Sequence, residues 1–586
     1  MLHTIDWMVI GISLSLIIIV GLSYAKRAGK SLESFFLGGR KLPWYIAGIS
    51  MVATTFAADT PLAVAELVAK NGISGNWLWW NMLAGGILTA LFFSHLWRRA
   101  NILTEVEFIE LRYSGNEAAF LRGFKSVYLG LFMNIIIIGF VNLAFMAILQ
   151  GMFGLNVMES FWYCGLAMLF VGIYSSLSGF LGVAITDAIQ FTLAMIGCIL
   201  LAYFVVTSPQ IGGLQGLTEK LPDWRFNFFP SVGTASQVGE AFGISVATFF
   251  AFVGFSWWAS WYPGAEPGGG GYASQRMMST RSEKDSVYAT LFFQIAHYCL
   301  RPWPWILVGL CAVILYPGLE DPKLGFVYVM RDFLPVGFKG LLIAAFVAAY
   351  MSTISTQLNW GSSYLTNDLF KRFIAPQSNE KQWVMAGRVI TLILMILGLC
   401  ITLLMDSISG AWQFILECSA GIGMVLILRW YWWRINAWSE IGATIIPVIV
   451  LLGLKGASFW FGIEALVFPY SFFLAIGITT ISWLAITYVT PPTNDETLRN
   501  FYQRIKPKGV WGPYAEISNH QNDNSPLWYG LASWFCGISL VYSLLFATGY
   551  FLFSQWMYFG ICCAVIVISL IGLKLFLPRT EILGNR

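Results

Sequence analysis

Charge is what this sequence has least of. Of 586 residues only 11% are Asp, Glu, Lys or Arg, 57% are hydrophobic, and mean hydropathy is +0.69. An ordinary soluble enzyme carries about a quarter charged residues, so that class is excluded. Histidine is scarce too: the four, at 3, 95, 297 and 520, form no metal or nucleophile constellation, which argues against a polytopic membrane enzyme. The nine Cys fall in apolar runs without metal-ligand or redox spacing, so neither a disulfide framework nor a zinc site is indicated. The net charge of +4 is scattered among loops and points to no nucleic-acid partner. Met1 to Trp7 lacks the basic start of a cleavable signal, so the first apolar run is expected to stay as a transmembrane helix. What the chain has in quantity is aromatic residues, 26 Trp and 24 Tyr among them, as suits a protein with two membrane interfaces.

A window of about 20 apolar residues finds fifteen candidate spans, the first at 7–25 and the last at 555–577. The expected fold is therefore an all-α polytopic membrane protein. With the N-terminus outside, alternate loops place 26 Lys and Arg on the inner side and seven on the outer, with Arg301 alone inside a span. That asymmetry predicts an outside N-terminus and a cytoplasmic C-terminus in the cell membrane. The longest inner loop, 490–526, holds Thr493-Asn494-Asp495-Glu496 before Leu498, Phe501, Tyr502 and Ile505. This capping-box pattern predicts a short amphipathic helix lying on the cytoplasmic face.

Interrupted spans carry the next signal, because in hydrocarbon non-helical backbone is tolerated only where it lines a cavity. The second span reads Ser50 to Ala58 in small, hydroxylated and apolar residues, then Asp59-Thr60-Pro61. Five spans later the seventh runs into Ser260-Trp261-Tyr262-Pro263-Gly264-Ala265-Glu266-Pro267 and four glycines. Two breaks five spans apart are the expected trace of an inverted five-helix repeat holding a solute at the breaks. A proline kink in the first case and a cytoplasmic glycine-rich loop in the second are the plainer readings. No GK[ST] follows the glycines and no strand precedes them, so they are not a phosphate loop.

The ninth span holds Tyr350-Met351-Ser352-Thr353-Ile354-Ser355-Thr356-Gln357. Residues at i, i+3 and i+4 share a helix face, so the carbonyl of Ala349 and the hydroxyls of Ser352 and Thr353 converge. Such an oxygen set suits a hard monovalent cation, the remaining oxygens coming from unwound carbonyls. Ser352, Ser355 and Thr356 group half a turn on and suit a second cation if a carboxylate joins them. Small hydroxylated residues that only glue helices together give the same pattern. Asp187, in the sixth span, is an acid at membrane depth, expensive unless paired or ion-bound; a position at a helix N-terminus favoured by the macrodipole is the other reading. Arg301 with His297 one turn earlier reads as a structural pair.

These residues resemble the sodium:solute symporter family over roughly residues 5–435. Phe35-Phe36-Leu37-Gly38-Gly39-Arg40 with Leu42-Pro43-Trp44 is similar to the family's FLAGR-x-LPWW, and Ser178-Gly179-Phe180 through Thr186-Asp187-Ala188-Ile189-Gln190 to its GGL-x-AV-x-x-TD-x-x-Q. Gln275-Arg276 resembles its Y-x-x-QR, and the Ala348 to Asn359 run precedes Asn367-Asp368. The resemblance implies a leucine-transporter-like core of two inverted five-helix repeats, 43–207 and 238–433. Around it stand an N-terminal helix and basic loop, 1–42, and extra C-terminal helices, 434–586. It implies a sodium site at the carbonyls of Ala53, Phe56 and Ala349 and the hydroxyls of Ser352 and Thr353. Some members carry a further sodium site, which maps onto Asp187, Ser352, Ser355 and Thr356.

Sugar-transporting members resemble Asn-Gln-Tyr before x-x-QR, whereas this chain has Gly270-Gly271-Tyr272, and Asp59-Thr60 stands in place of their Glu-Gln. A sugar is thus disfavoured, and an amino acid or small carboxylate is expected because broken-helix N-termini favour anionic groups. Pro263 to Gly271 resembles an insertion. Position relative to the breaks suggests substrate contacts at Thr54, Thr55, Asp59, Thr60, Phe255, Trp258 and Gln357. The expected function is sodium-coupled import of a small organic solute by alternating access, with sodium ions, the solute and the lipid bilayer as partners. A transporter-fold sensor signalling through the 490–526 loop, and proton coupling through Asp187, are the alternatives.

Overall fold

The computed structural model describes residues 2–28, 37–102, 104–230, 246–462, 466–515, 527–580 and 582. Phe35 and Phe36 of the first motif, 238–245 of the seventh span and 516–526 of the long inner loop lie outside the described residues. The described chain is helical, without a named strand. Among the described residues, ten helices are long and apolar enough to cross a bilayer, or twelve when each of two bent pairs is taken as one span. Three further apolar stretches, Thr4–Ile17, Val157–Gly172 and Ala247–Ala259, are shorter over those residues.

Val157–Val206 is one helical run, but it is not one straight rod. Cys164 Sγ meets the Tyr350 hydroxyl at 3.4 Å, and Asp187 accepts a hydrogen bond from Ser352 Oγ. On a straight helix Cys164 and Asp187 would stand about 34 Å apart, yet both reach the same turn of the Phe338–Ile374 helix. The run therefore doubles back between them. Phe338–Ile374 carries the Ser/Thr cluster and is called the hydroxyl helix below. Its start is pinned by Asp6, whose Oδ1 accepts from the amides of Gly337 (2.7 Å) and Gly340 (2.9 Å), donors a helix leaves unpaired at its first turn.

Among the described residues three apolar segments are interrupted, two of them by bends of more than 40°. The first divides into Trp44–Thr54 and Asp59–Asn71, bent by 58°. Pro61 explains the position: it has no N–H and its ring meets the carbonyl four residues back, but it is tolerated in the first turn of a new helix. The second has apolar helix up to Ala259, irregular backbone through Gly270, and a new helix Gly271–Ser279. Its glycines have a steric reason. Gly268 and Gly269 have φ of 78° and 79°, and Gly268 O accepts from Trp97 Nε1 at 2.8 Å. A Cβ on Gly269 would stand 2.7 Å from that same indole nitrogen. Gly269→Ala is accordingly expected to destabilise the fold by at least the ~1–2 kcal/mol of a left-handed alanine, read as a melting temperature several degrees lower in detergent; an unchanged value would show that the loop does not need this approach.

The third broken span, Ile408–Cys418 with Ile422–Tyr431 bent by 54°, was not expected from sequence. It clips onto the second: Gly421 N–H donates to Ala259 O (2.8 Å), Ser419 Oγ to Trp261 O (2.9 Å) and Ser260 Oγ to Leu416 O (3.0 Å). Each break thus satisfies the other's loose backbone groups, as a low-dielectric interior requires.

The predicted amphipathic helix exists as Asp495–Ile505, with Asn494 as its cap, accepting from Glu496 N–H at 2.8 Å. It is not laid on the bilayer by its apolar face. Leu498, Phe501 and Ile505 are fully buried against protein, with Phe501 on Trp511 (5.4 Å between ring centres) and Phe108 (5.7 Å). Protein-facing apolar surface outcompetes the interface because Phe108, Trp430 and Trp511 offer a closed aromatic seat.

Candidate functional site

The site forms where a break faces a bend. The Glu283–Leu315 helix is interrupted at Arg301-Pro302, where the proline removes a backbone donor. Trp44–Thr54 packs along the part before this bend and Asp59–Asn71 along the part after it. Gly48 allows the first contact, lying against Ala289 and Phe292, and Gly309 the second, against Ala65 and Val68. The unwound turn of the first broken helix is thereby held opposite His297 and Arg301. Arg301 Nη1 donates to Thr55 Oγ1 at 3.1 Å and to Val52 O at 3.4 Å, and His297 Nδ1 lies 3.2 Å from the same threonine hydroxyl.

Beside this junction is a partly open cavity. Thr54, Thr55, Asp59 and Thr60 line it from the first break; Gln294, His297 and Arg301 from the bend; Thr353 and Gln357 from the hydroxyl helix. Tyr262 enters from the second break and Trp412 from the third broken span. Four polar atoms on these walls are buried without a hydrogen-bond partner: Asp59 Oδ1, Thr353 Oγ1, Gln357 Oε1 and Trp412 Nε1. Buried polar groups are nearly always paired, so a cluster of unpaired ones on one wall marks a surface built for a polar ligand.

The hydroxyl helix meets the first break through aromatic packing. Phe56 stacks on Phe346 (6.3 Å, 17°), one turn before Ala349, and on Trp305 at 5.5 Å. Ala53, Phe56, Ala349, Ser352 and Thr353 are all buried in this region. The main chain at the break offers acceptors, since Phe56 N–H donates to Ala53 O (3.0 Å) in a single tight turn and the regular ladder stops there. Asp187 is 1% exposed and receives Ser352 Oγ on Oδ1 and Ser50 Oγ (3.2 Å) on Oδ2. Arg276 Nη2 lies 3.9 Å from Oδ2 and donates to Thr54 Oγ1 at 2.9 Å. One chain of polar contacts thus joins Asp187, the first broken helix and the Gln275-Arg276 motif. Ser355 Oγ donates to Ser352 O (3.0 Å), and Ser355 and Thr356 line a second cavity with Arg276, Glu105 and Tyr364.

Of the substrate contacts expected from position, Thr54, Thr55, Asp59, Thr60 and Gln357 line the first cavity. Phe255 and Trp258 do not. They pack on each other (5.6 Å), and Phe255 on Phe473 (5.4 Å). Phe255 sits inside a wide helical turn at Ala251–Ser256, whose extra residue changes the face it takes, and Trp258 packs onto Phe255. Tyr262, three residues past the end of the helix, is the aromatic that the second break contributes. His297 and Arg301, read from sequence as a structural pair, face the cavity as well as each other. Trp79 and Trp412 were not singled out at all, and nothing in their local sequence distinguishes them from interface tryptophans.

Comparison with known proteins supplies the context. The sodium/glucose cotransporter of Vibrio parahaemolyticus is 27% identical over 487 residues, covering 78% of this chain and 86% of its own. The sodium/proline symporter of Escherichia coli (strain K12) is 24% identical over 486 residues, with 78% and 89% covered. A solved Na+-coupled sialic acid symporter, in a substrate-bound outward-open state, superimposes with a TM-score of 0.65 at 20% identity, covering 84% of this chain and 99% of that one, and so shares the fold. The family model of the sodium:solute symporters matches residues 35–447. A many-spanned helical chain with broken helices around a polar cavity, matched over most of its length by that family, is a membrane transporter and not an enzyme: it belongs to the sodium:solute symporter family.

Proposed function

We propose that this protein is a sodium-coupled secondary active symporter that imports a small organic solute across the cytoplasmic membrane by alternating access. The observation that carries the reading is Thr353 Oγ1, a buried hydroxyl without a protein partner beside the unwound turn of the first broken helix. With the carbonyls of Ala53, Phe56 and Ala349 and the hydroxyl of Ser352 it makes an all-oxygen set suited to sodium. Sodium bound there bridges the first broken helix to the hydroxyl helix and completes the wall of the solute cavity. A second ion sits at Asp187, Ser352, Ser355 and Thr356, where the carboxylate supplies the charge. Each sodium moving inward gains about 2.3 kcal/mol per 100 mV of membrane potential, and rocking of one helix group against the other exposes the solute to the cytoplasm.

In this reading the three shorter apolar helices cross the bilayer as well, which with the twelve gives fifteen spans. In this arrangement 43–207 and 238–433 are the inverted repeats, 1–42 and 434–586 flank them, the N-terminus is outside and the C-terminus cytoplasmic. The breaks at 55–58 and 260–270 take corresponding places in the two repeats, which supports it.

The test is the melting temperature of detergent-purified protein in sodium chloride against potassium chloride at matched ionic strength. Ligand binding raises apparent stability by mass action, about 2.7 kcal/mol at a hundred times Kd, so a sodium-specific rise is expected. Equal melting in both salts, with a rise on acidification instead, would replace sodium by proton coupling.

A further inference from the structure

The first cavity carries two opposite charges that do not pair with each other. Arg301 is completely buried, its guanidinium over the face of Trp305 at 5.5 Å. Its hydrogen-bond partners are Thr55 Oγ1, the carbonyls of Val52 and His297, and the His297 ring, with no carboxylate within 4.0 Å among the described residues. Asp59 is 4% exposed, opens the second half of the first broken helix, and keeps Oδ1 unpartnered. No Lys or Arg lies within 4.0 Å of it among the described residues.

The other buried arginines show what the fold does with a cation it uses only for structure. Arg429 is 3.2 Å from Glu440, and Arg112 donates to three main-chain carbonyls, at Arg429, Trp432 and Trp433, around the same carboxylate network. Arg301 donates to two carbonyls, at Val52 and His297, and has no carboxylate within 4.0 Å among the described residues. Desolvating a charge is expensive unless a counter-charge joins it, and two separated, opposite charges lining one cavity are both neutralised when a single ligand carries the complementary pair. The rest of the wall fits the body of such a ligand. Trp79, Phe140, Tyr262, Phe293 and Tyr298 supply apolar surface, and Gln357 Oε1 and Trp412 Nε1 are an unpaired acceptor and donor.

We infer that the cargo is a small zwitterion, an amino acid or a betaine, with its carboxylate on Arg301 and its cationic nitrogen on Asp59. This rests on the reading of the cavity as the solute site of a sodium symporter. The assignment of Asp59 has a local basis: as first residue of a helix it is favoured as an anion by the helix dipole. A neutral polyol would leave both charges buried and uncompensated, and a plain monocarboxylate would leave Asp59 so.

The experiment uses the purified full chain in sodium chloride and follows melting with three pools: the common amino acids with glycine betaine, neutral sugars with myo-inositol, and monocarboxylates. The zwitterion pool is expected to raise the melting temperature, and its active member to be taken up by proteoliposomes under an inward sodium gradient. Asp59→Asn is expected to weaken that member at least tenfold while the sodium-specific rise persists. The analogue of the same compound lacking its amino group is expected to bind Asp59→Asn at least as well as wild type, a reversal that a merely structural role for Asp59 would not produce. Arg301→Lys is expected to retain weakened binding, and Arg301→Gln none. A rise with sugars or monocarboxylates alone overturns the inference, as does no rise with any pool while sodium still stabilises, or undiminished zwitterion binding by Asp59→Asn. If sodium itself fails to stabilise in any pool, the symport reading falls first and this inference with it.

Discussion

Thr353→Val is expected to melt with wild type in potassium chloride and to fall short of it in sodium chloride. The hydroxyl makes no hydrogen bond within the protein, and valine is nearly its shape, so its loss removes no internal contact. Only a bound ion would miss it, and a tenfold or greater weakening of apparent sodium affinity, about 1.4 kcal/mol, is the expected size. Ser352→Ala is expected to do more, because Ser352 Oγ also donates to Asp187 and belongs to both proposed ion positions. Ser355→Ala separates them, since that hydroxyl meets only the Ser352 carbonyl and enters the second position alone. The check is a sodium titration of melting temperature for the three variants. Equal sodium affinity in Thr353→Val and wild type would remove Thr353 from the site and with it the main support for sodium at the break.

The second large effect is structural. Glu440→Ala is expected to cost about 3–5 kcal/mol, the range for breaking a buried ion pair by removing one partner. The carboxylate is fully buried, 3.2 Å from Arg429 and 3.3 Å from Lys125, and accepts from the Tyr113 hydroxyl at 3.0 Å. Without it two cations are left facing one another where water does not reach. Arg429 is further fixed over the Phe108 ring at 4.6 Å, so it has no route to solvent. The variant is therefore expected to show a large drop in melting temperature or to accumulate poorly. Adding Lys125→Met should recover part of the loss by removing one uncompensated charge, which a packing defect at position 440 alone would not allow. A single variant that melts within a degree or two of wild type would show that the network holds nothing together.

Much of the first break was legible in sequence because proline chemistry is local. Pro61 lacks an N–H and its ring meets the carbonyl four residues back, so the preceding helix is disfavoured from continuing through it whatever packs around it. The hydroxyl cluster was legible for a related reason, since helical spacing alone puts Ser352 and Thr353 beside the Ala349 carbonyl. The third break was not legible: Ser419-Ala420-Gly421 has no proline and reads like the small-residue seams that pack membrane helices everywhere. Its meaning comes from Ala259 and Trp261, whose carbonyls it satisfies, and from Ser260, which in return donates to Leu416 O. Phe255 and Trp258 were assigned to the cavity by counting back from the second break, and that counting presumes regular turns. The wide turn at Ala251–Ser256 shifts the face, because each residue out of register rotates a helix by about 100°.

By itself the sequence determined that this chain lives in a membrane, that its first core helix breaks at Asp59-Thr60-Pro61, and that the ninth span carries a stripe of oxygens. These follow from composition and from geometry within about a turn of the residue concerned. Only the tertiary structure decided what each face looks at. It set the Arg301 bend against the Thr55 break and brought Trp412 to the same cavity, leaving Asp59 and Arg301 in its lining more than 4.0 Å apart. Periodicity fixes the direction of a side chain on its own helix, whereas its partner across a helix interface depends on how two rods some 240 residues apart are turned about their axes.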